Sequence, residues 1–219
     1  MGASDRQRAW QAAGTAAAAL VEDGMRVGLG TGRAAAAAIT ALGERVRGGL
    51  RCTGVPTSRA SAALARSEGI RVGRLRGQLD LAFDGADAVD PDGLVVKGAG
   101  GAMVRERVVA QAAVRFLVLV DGPKIVTSLD AWGVLPIAVI PFAAARVIDQ
   151  LDELSPVQRD APSDDGLVLI DLTVPVGASW PALAARVGAI AGVVDHGLFA
   201  VQRGDVFVGA PDGTVTHAG

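Results

Sequence analysis

The chain has 219 residues, half of them hydrophobic, a fifth charged and only 4% aromatic, with a net charge of -2. That length suits one large domain or a domain with a smaller companion, and it buries a sizeable aliphatic core without metals or disulfides. The composition excludes a disordered chain, and a near-neutral balance with no long basic run gives no footing for nucleic acid or an anionic membrane surface.

Trp10, Ala13, Ala17 and Leu20 share a face, which predicts a first helix over 5–23 with Gly24 as its stop. Met25 to Leu29 reads as a strand, the Ala-rich run 33–47 as a helix and Cys52 to Val55 as a strand. Ser58 caps a predicted helix to Glu68, and buried strands follow at Ile70–Leu75, Leu79–Phe83 and Leu94–Val96. A helix over 102–114 leads into an apolar strand from Phe116 to Val120. Strand–helix alternation with Gly-rich turns at strand ends predicts an α/β fold with a Rossmann-like, mostly parallel sheet.

Beyond Trp132 the pattern changes to α+β: a strand at Val134–Pro141, a helix near 142–153, a polar turn-rich stretch at 155–166, a strand at Leu167–Val174, a helix at 178–190, and late strands at Gly192–Phe199 and Val206–Gly209. The expected organisation is a larger domain of residues 1–133 plus 204–219, to whose sheet the last strand returns, and a small α+β domain of 134–203. The lone Cys52 allows no internal disulfide and reads as a small buried hydrophobe. The N-terminal stretch lacks the flanks of a signal peptide, and nothing approaches the roughly 20 apolar residues of a membrane span. A cytoplasmic enzyme or binding protein is the expectation.

Four constellations fall at predicted strand ends. Gly28-Leu29-Gly30-Thr31-Gly32-Arg33 opens a helix. It suits a phosphate monoester or another small anion, because glycines admit a ligand to the backbone and helix N-terminal N–H groups attract charge. Ala35 breaks a dinucleotide fingerprint and no Gly-Lys-Ser/Thr follows, so the loop otherwise reads as a plain βα turn. Phe83-Asp84-Gly85-Ala86-Asp87 offers two carboxylates for acid/base work or for sugar hydroxyls; a turn-forming Asp explains one of them more easily than both. Lys97-Gly98-Ala99-Gly100-Gly101 leads into a helix carrying Glu106 in its first turns, where a surface carboxylate facing the helix dipole is the ordinary alternative. Val120-Asp121-Gly122-Pro123-Lys124 ends the next strand. Ligands of open parallel sheets gather beyond strand carboxyl ends. The two His residues join no Cys/His cluster with metal spacing, so no metal is expected.

Of the 21 basic residues, 19 are Arg, and Lys97 and Lys124 are the only Lys. Lys is normally among the commonest residues. The two survive either by chance or because a compact ammonium is needed where a planar guanidinium does not serve.

The series GLGTG, Pro56-Thr57-Ser58, DGAD, KGAGGAMVRE and DGPK resembles ribose-5-phosphate isomerase of the A type, in order and spacing from about 25 to 141 and more weakly through Asp164-Asp165-Gly166, Ile170-Asp171 and Gly192–Phe199. The resemblance implies a Rossmann-like domain with a ferredoxin-like companion, a homodimer or higher homo-oligomer, and cofactor-free interconversion of D-ribose 5-phosphate and D-ribulose 5-phosphate in the non-oxidative pentose phosphate pathway. It implies Glu106 as the base, Asp84 and Asp87 at ring opening and the sugar hydroxyls, and Lys97 beside the developing negative charge. Thr31, Gly32, Arg33, Ala34, Gly85, Ala86, Gly98, Ala99, Gly100 and Lys124 then bind substrate. Arg33 and Ala34 stand where the family loop usually carries Ser and Thr, exchanging two hydroxyls for a guanidinium. Two other readings stay open here: a divergent isomerase of another phosphorylated sugar, and a non-catalytic sugar-phosphate-binding module. The second would normally place a helix-turn-helix ahead of the sheet, for which about 24 residues before the first strand are too few.

Overall fold

The computed structural model describes residues 1–218. Its elements in chain order are α1 (Ala3–Ala19), β1 (Arg26–Leu29), α2 (Arg33–Arg47), β2 (Thr53–Pro56), α3 (Arg59–Ser67), β3 (Arg71–Val72), β4 (Leu79–Gly85), β5 (Ala88–Val89), β6 (Leu94–Val96), α4 (Met103–Ala112) and β7 (Ala113–Asp121). Then come β8 (Val134–Val139), α5 (Ala144–Gln150), β9 (Val157–Gln158), β10 (Val168–Thr173), α6 (Trp180–Gly188), β11 (Val193–His196), β12 (Leu198–Ala200), β13 (Val206–Gly209) and β14 (Val215–His217). The chain divides into two units: residues 1–86, 105–125 and 201–219 form the first, and 87–104 with 126–200 the second.

The first unit is built on a seven-stranded sheet in the order β14-β13-β7-β4-β1-β2-β3, parallel throughout except for the terminal β13–β14 hairpin. From β1 the chain winds outward through β2 and β3, then returns to β1's other side with β4. The sheet therefore has its switch point between β1 and β4, where an open α/β sheet leaves a crevice. One core cluster packs Ala13 and Ala17 of α1, and Ala38, Ile39 and Leu42 of α2, against Leu29, Leu81, Phe83 and Leu117. Small side chains let α1 and α2 approach closely: a Cβ on Gly14 would lie 2.6 Å from the Ala38 nitrogen. A second cluster sets Val109 of α4 against Val55, Leu79 and Ala82. Each fully buried Leu or Phe here contributes about 1.5–3 kcal/mol.

The second unit holds two antiparallel sheets, β11-β8-β10-β9 and β12-β6-β5. Its core joins Leu135, Ile137 and Val139 of β8, Ile170 and Leu172 of β10, Val147 of α5 and Trp180, Ala184 and Val187 of α6. Ser179 caps α6, its Oγ accepting from the Ala182 nitrogen.

The sheet that the sequence predicts for 79–121 is thus split between units. Residues 87–104 belong to the second, because β6 pairs with β12 rather than with the parallel sheet. The expected strand at Gly192–Phe199 breaks at Gly197 into β11 and β12. The Gly197 nitrogen donates to the Pro136 carbonyl at 2.7 Å, and the Gly197 carbonyl accepts from the Lys97 nitrogen at 2.8 Å, so the chain passes there from one sheet to the other. The polar stretch at 155–166 contains β9, and the helix near 142–153 is trimmed to α5 with 3-10 turns on either side. No helix among the described residues is long and apolar enough to cross a membrane.

Candidate active site

In the first unit, β1 and β4 end side by side, Leu29 in register with Phe83. Gly30 follows β1 because nothing larger fits: a Cβ there would collide with the Asp84 carboxylate and lie 2.6 Å from the Asp84 Cα. Asp84 is buried, and its Oδ1 accepts from the backbone nitrogens of Thr31 at 2.9 Å and Gly85 at 2.7 Å. The carboxylate therefore fixes the turn into α2. Gly32 takes a φ of 101°, a conformation that side chains resist, and serves as the N-cap of α2 without any side-chain cap. The first N–H groups of α2 remain available to an anion.

A cluster of hydroxyls backs this turn. Thr31 Oγ1 lies 2.7 Å from Thr57 Oγ1 and 3.2 Å from Ser61 Oγ, Ser61 Oγ donates to the Gly30 carbonyl at 2.5 Å, and Ser58 Oγ accepts from the Ser61 nitrogen to cap α3. Thr57 and Ser58 belong to a motif visible in the sequence. Ser61 does not, and its role depends on α3 returning beside β1.

Arg33, expected among the substrate-binding residues, is exposed and lays its guanidinium over the ring of Trp10, 4.5 Å from the centroid. Its side chain lines the open groove between α1 and α2 with Gln7, Gln11 and Thr40. Ala34, next to it, is buried. Glu106 sits in the first turn of α4 and is only 4% exposed, so it is no surface carboxylate facing the helix dipole. Lys124 is half-buried in the 3-10 turn that follows β7. Asp121, ending β7, is buried with the Arg6 guanidinium Nε 3.8 Å away.

In the second unit, Lys97 follows β6 and is 2% exposed, its Nζ 5.8 Å from the centre of the Phe199 ring. Gly98, with φ 115°, turns the chain sharply. Asp87 Oδ2 accepts from the Ala99 nitrogen at 2.9 Å, so the two acids of DGAD both hold loop backbone: Asp84 the Thr31 turn, Asp87 the Lys97–Gly100 loop. Among the described residues no group of three or more His, Cys, Asp or Glu side chains is placed to hold a metal ion.

A family model described as ribose 5-phosphate isomerase A (phosphoriboisomerase A) matches residues 53–213. The chain belongs to the ribose 5-phosphate isomerase A family. Curated relatives named ribose-5-phosphate isomerase A include that of Thermomicrobium roseum, 41% identical over 94% of this chain and 92% of its own, and that of Methanosarcina acetivorans, 41% identical over 94% and 92%. The solved ribose 5-phosphate isomerase A of Methanocaldococcus jannaschii superposes with a TM-score of 0.87 at 35% identity, covering 95% of this chain and 96% of that one. A D-ribose-5-phosphate isomerase solved in complex with phospho-erythronic acid gives 0.87 at 32% identity over the same shares. The α/β architecture of this isomerase family is thus that of the present chain.

Proposed function

We propose that the chain is an aldose–ketose isomerase interconverting D-ribose 5-phosphate and D-ribulose 5-phosphate. The observation that carries this reading is a pair of buried ionisable side chains, Lys97 at 2% and Glu106 at 4% exposure, flanking a Gly-rich loop in a member of this family. A carboxylate and an ammonium are the residue types that proton transfer beside a carbonyl and stabilisation of the resulting oxyanion call for.

In the forward direction the Glu106 carboxylate removes the proton from C2 of the open-chain aldose. The C2–H electron pair becomes the C1=C2 bond and charge passes to O1. Glu106 returns the proton to C1 while the O2 proton moves to O1, leaving a ketone at C2. The change is redox-neutral and needs no electron acceptor. The Lys97 ammonium stabilises the enediolate oxygens, the place where charge develops. Asp84 and Asp87 serve ring opening and the sugar hydroxyls, the backbone of Gly85, Ala86, Gly98, Ala99 and Gly100 binds substrate, and Lys124 contacts it. Gly32, Arg33 and Ala34 hold the phosphate through backbone N–H groups at the N-terminus of α2, and Thr31, whose own N–H is taken by Asp84, adds its hydroxyl; the stacking of Arg33 on Trp10 favours this backbone role over a guanidinium grip. The complex of a 32% identical relative with a phosphorylated sugar acid supports a ligand of this chemistry. The homo-oligomer, the cytoplasmic setting and the place in pentose phosphate metabolism implied by the resemblance belong to the same proposal.

The test is incubation with ribose 5-phosphate in D2O, followed by NMR. Ribulose 5-phosphate should accumulate with deuterium entering at the transferred position. Glu106→Gln should lower kcat by about 10²–10⁴-fold while the protein stays folded. A folded wild-type sample giving neither product nor exchange would sink the proposal, and full turnover by Glu106→Gln would remove Glu106 as the base.

A further inference from the structure

We infer that Arg159, braced by Asp171, is a positioning residue that sets the peptide planes of the Lys97–Gly100 loop; the inference rests on the isomerase reading for its consequence, though not for its geometry. Arg159 follows β9, its nitrogen donating to the Leu169 carbonyl of β10 at 2.9 Å. Its guanidinium forks onto the Asp171 carboxylate, Nε to Oδ2 at 2.9 Å and Nη2 to Oδ1 at 2.6 Å. The third nitrogen turns the other way. Nη1 donates to the Gly98 carbonyl at 2.7 Å and reaches the Ala99 carbonyl at 3.3 Å.

Asp171 thereby fixes the plane of the guanidinium, and the guanidinium fixes two successive carbonyls of the loop. In a trans peptide the N–H points opposite to the C=O. Holding the Gly98 carbonyl on Arg159 therefore sends the Ala99 N–H the other way, where Asp87 Oδ2 accepts it at 2.9 Å. Holding the Ala99 carbonyl likewise turns the Gly100 N–H away from Arg159. At the loop's start the Lys97 nitrogen is tied to the Gly197 carbonyl at 2.8 Å, and a Cβ on Gly197 would collide with the Lys97 carbonyl. Position 98 calls for Gly: φ is 115°, and a Cβ there would sit 3.1 Å from Met103 and Pro136 carbons. Lys97 thus leaves a loop whose backbone is pinned at residues 97, 98 and 99, and Arg159 supplies the pin that lies outside the recognised motifs.

An ion pair as exposed as this one, with side chains 21% and 31% accessible, adds little stability by itself. Its value lies in the donor left over for the loop. A Lys at 159 has a single nitrogen and cannot span Asp171 and Gly98 as the rigid fork does.

The experiment compares wild type, Arg159→Lys, Asp171→Asn and the double variant. Each should fold with a melting temperature within a few degrees of wild type. Arg159→Lys should lower kcat for ribose 5-phosphate about 10–100-fold, as small misplacements of reacting groups do, with KM changed much less. Asp171→Asn should give a smaller loss, and the double variant should be no worse than Arg159→Lys, because the two act as one unit. The Ala99 amide should exchange faster with solvent in Arg159→Lys. Wild-type kcat in folded Arg159→Lys, losses that add in the double variant, or unchanged Ala99 exchange would each overturn the inference. A wild-type protein without isomerase activity would refute the function instead, and Ala99 exchange would still decide the clamp.

Discussion

Lys97 and Lys124 stand alone among 19 arginines, and the structure gives them different surroundings. Lys97 is enclosed, with the Phe199 ring on one side; Lys124 is half-buried in a turn. A guanidinium at 97 is broader and planar and must displace packed neighbours, so Lys97→Arg should cost about 1–3 kcal/mol of stability in addition to activity. At 124 the fold should be indifferent and the loss should fall on KM. Steady-state kinetics beside thermal melts separates the two, and wild-type turnover in both variants would return the lysines to chance. Much of the candidate site is legible in the sequence because its residues lie in short motifs at strand ends or, for Glu106, in the first turn of the helix that follows, and both follow from local pattern. Arg33 and Arg159 are not legible in that way. Arg33 finds its partner in Trp10 on α1, and Arg159 its partner in a loop some sixty positions earlier; such contacts exist only once the chain has folded.

Elements marked by an Ala-rich run, a capping Ser or a short apolar run match their predicted ranges closely, as α2, α3 and β13 show. The two-residue strands β5 and β9 carry no period to detect; they form because β6 and β10 offer them an edge. Contact between α1 and α2 is equally tertiary. Gly14 sits inside α1, where Gly ordinarily costs about 1 kcal/mol against Ala. Here the added methyl would meet the Ala38 nitrogen at 2.6 Å and the Ala37 carbonyl carbon at 2.8 Å. Crowding against rigid backbone outweighs the propensity gain, so Gly14→Ala should destabilise the protein by about 1–3 kcal/mol, seen as a lower urea midpoint at unchanged slope. A more stable variant would mean that α1 shifts away from α2 at no cost.

Neither unit is a continuous stretch of chain: the backbone passes from one to the other at residues 86–87, 104–105, 125–126 and 200–201, the second of these inside α4. Each unit's sheets are closed by segments whose ends are anchored in the other, so losing one unit frees the chain ends that the other must hold fixed, at an entropic cost. The two should therefore unfold together, although a chain of 219 residues is long enough for intermediates. Cys52 and Trp132 with Trp180 report on different units. Burial pushes the Cys52 thiol pKa up, and the nearby Arg45 only partly offsets this. Because the folded pKa lies above the unfolded one, the thiol's contribution to stability is complete below the unfolded value and is lost as pH rises through the folded value. At pH 8 the native thiol should accordingly resist alkylation, and iodoacetamide labelling should appear only as urea unfolds the protein. Its midpoint should coincide with the loss of near-ultraviolet tryptophan dichroism, to which Trp132 and Trp180 of the second unit contribute two of the chain's three Trp residues. Labelling that saturates at a urea concentration where the tryptophan signal is still native would show the first unit opening by itself, against the coupling that the four chain crossings predict.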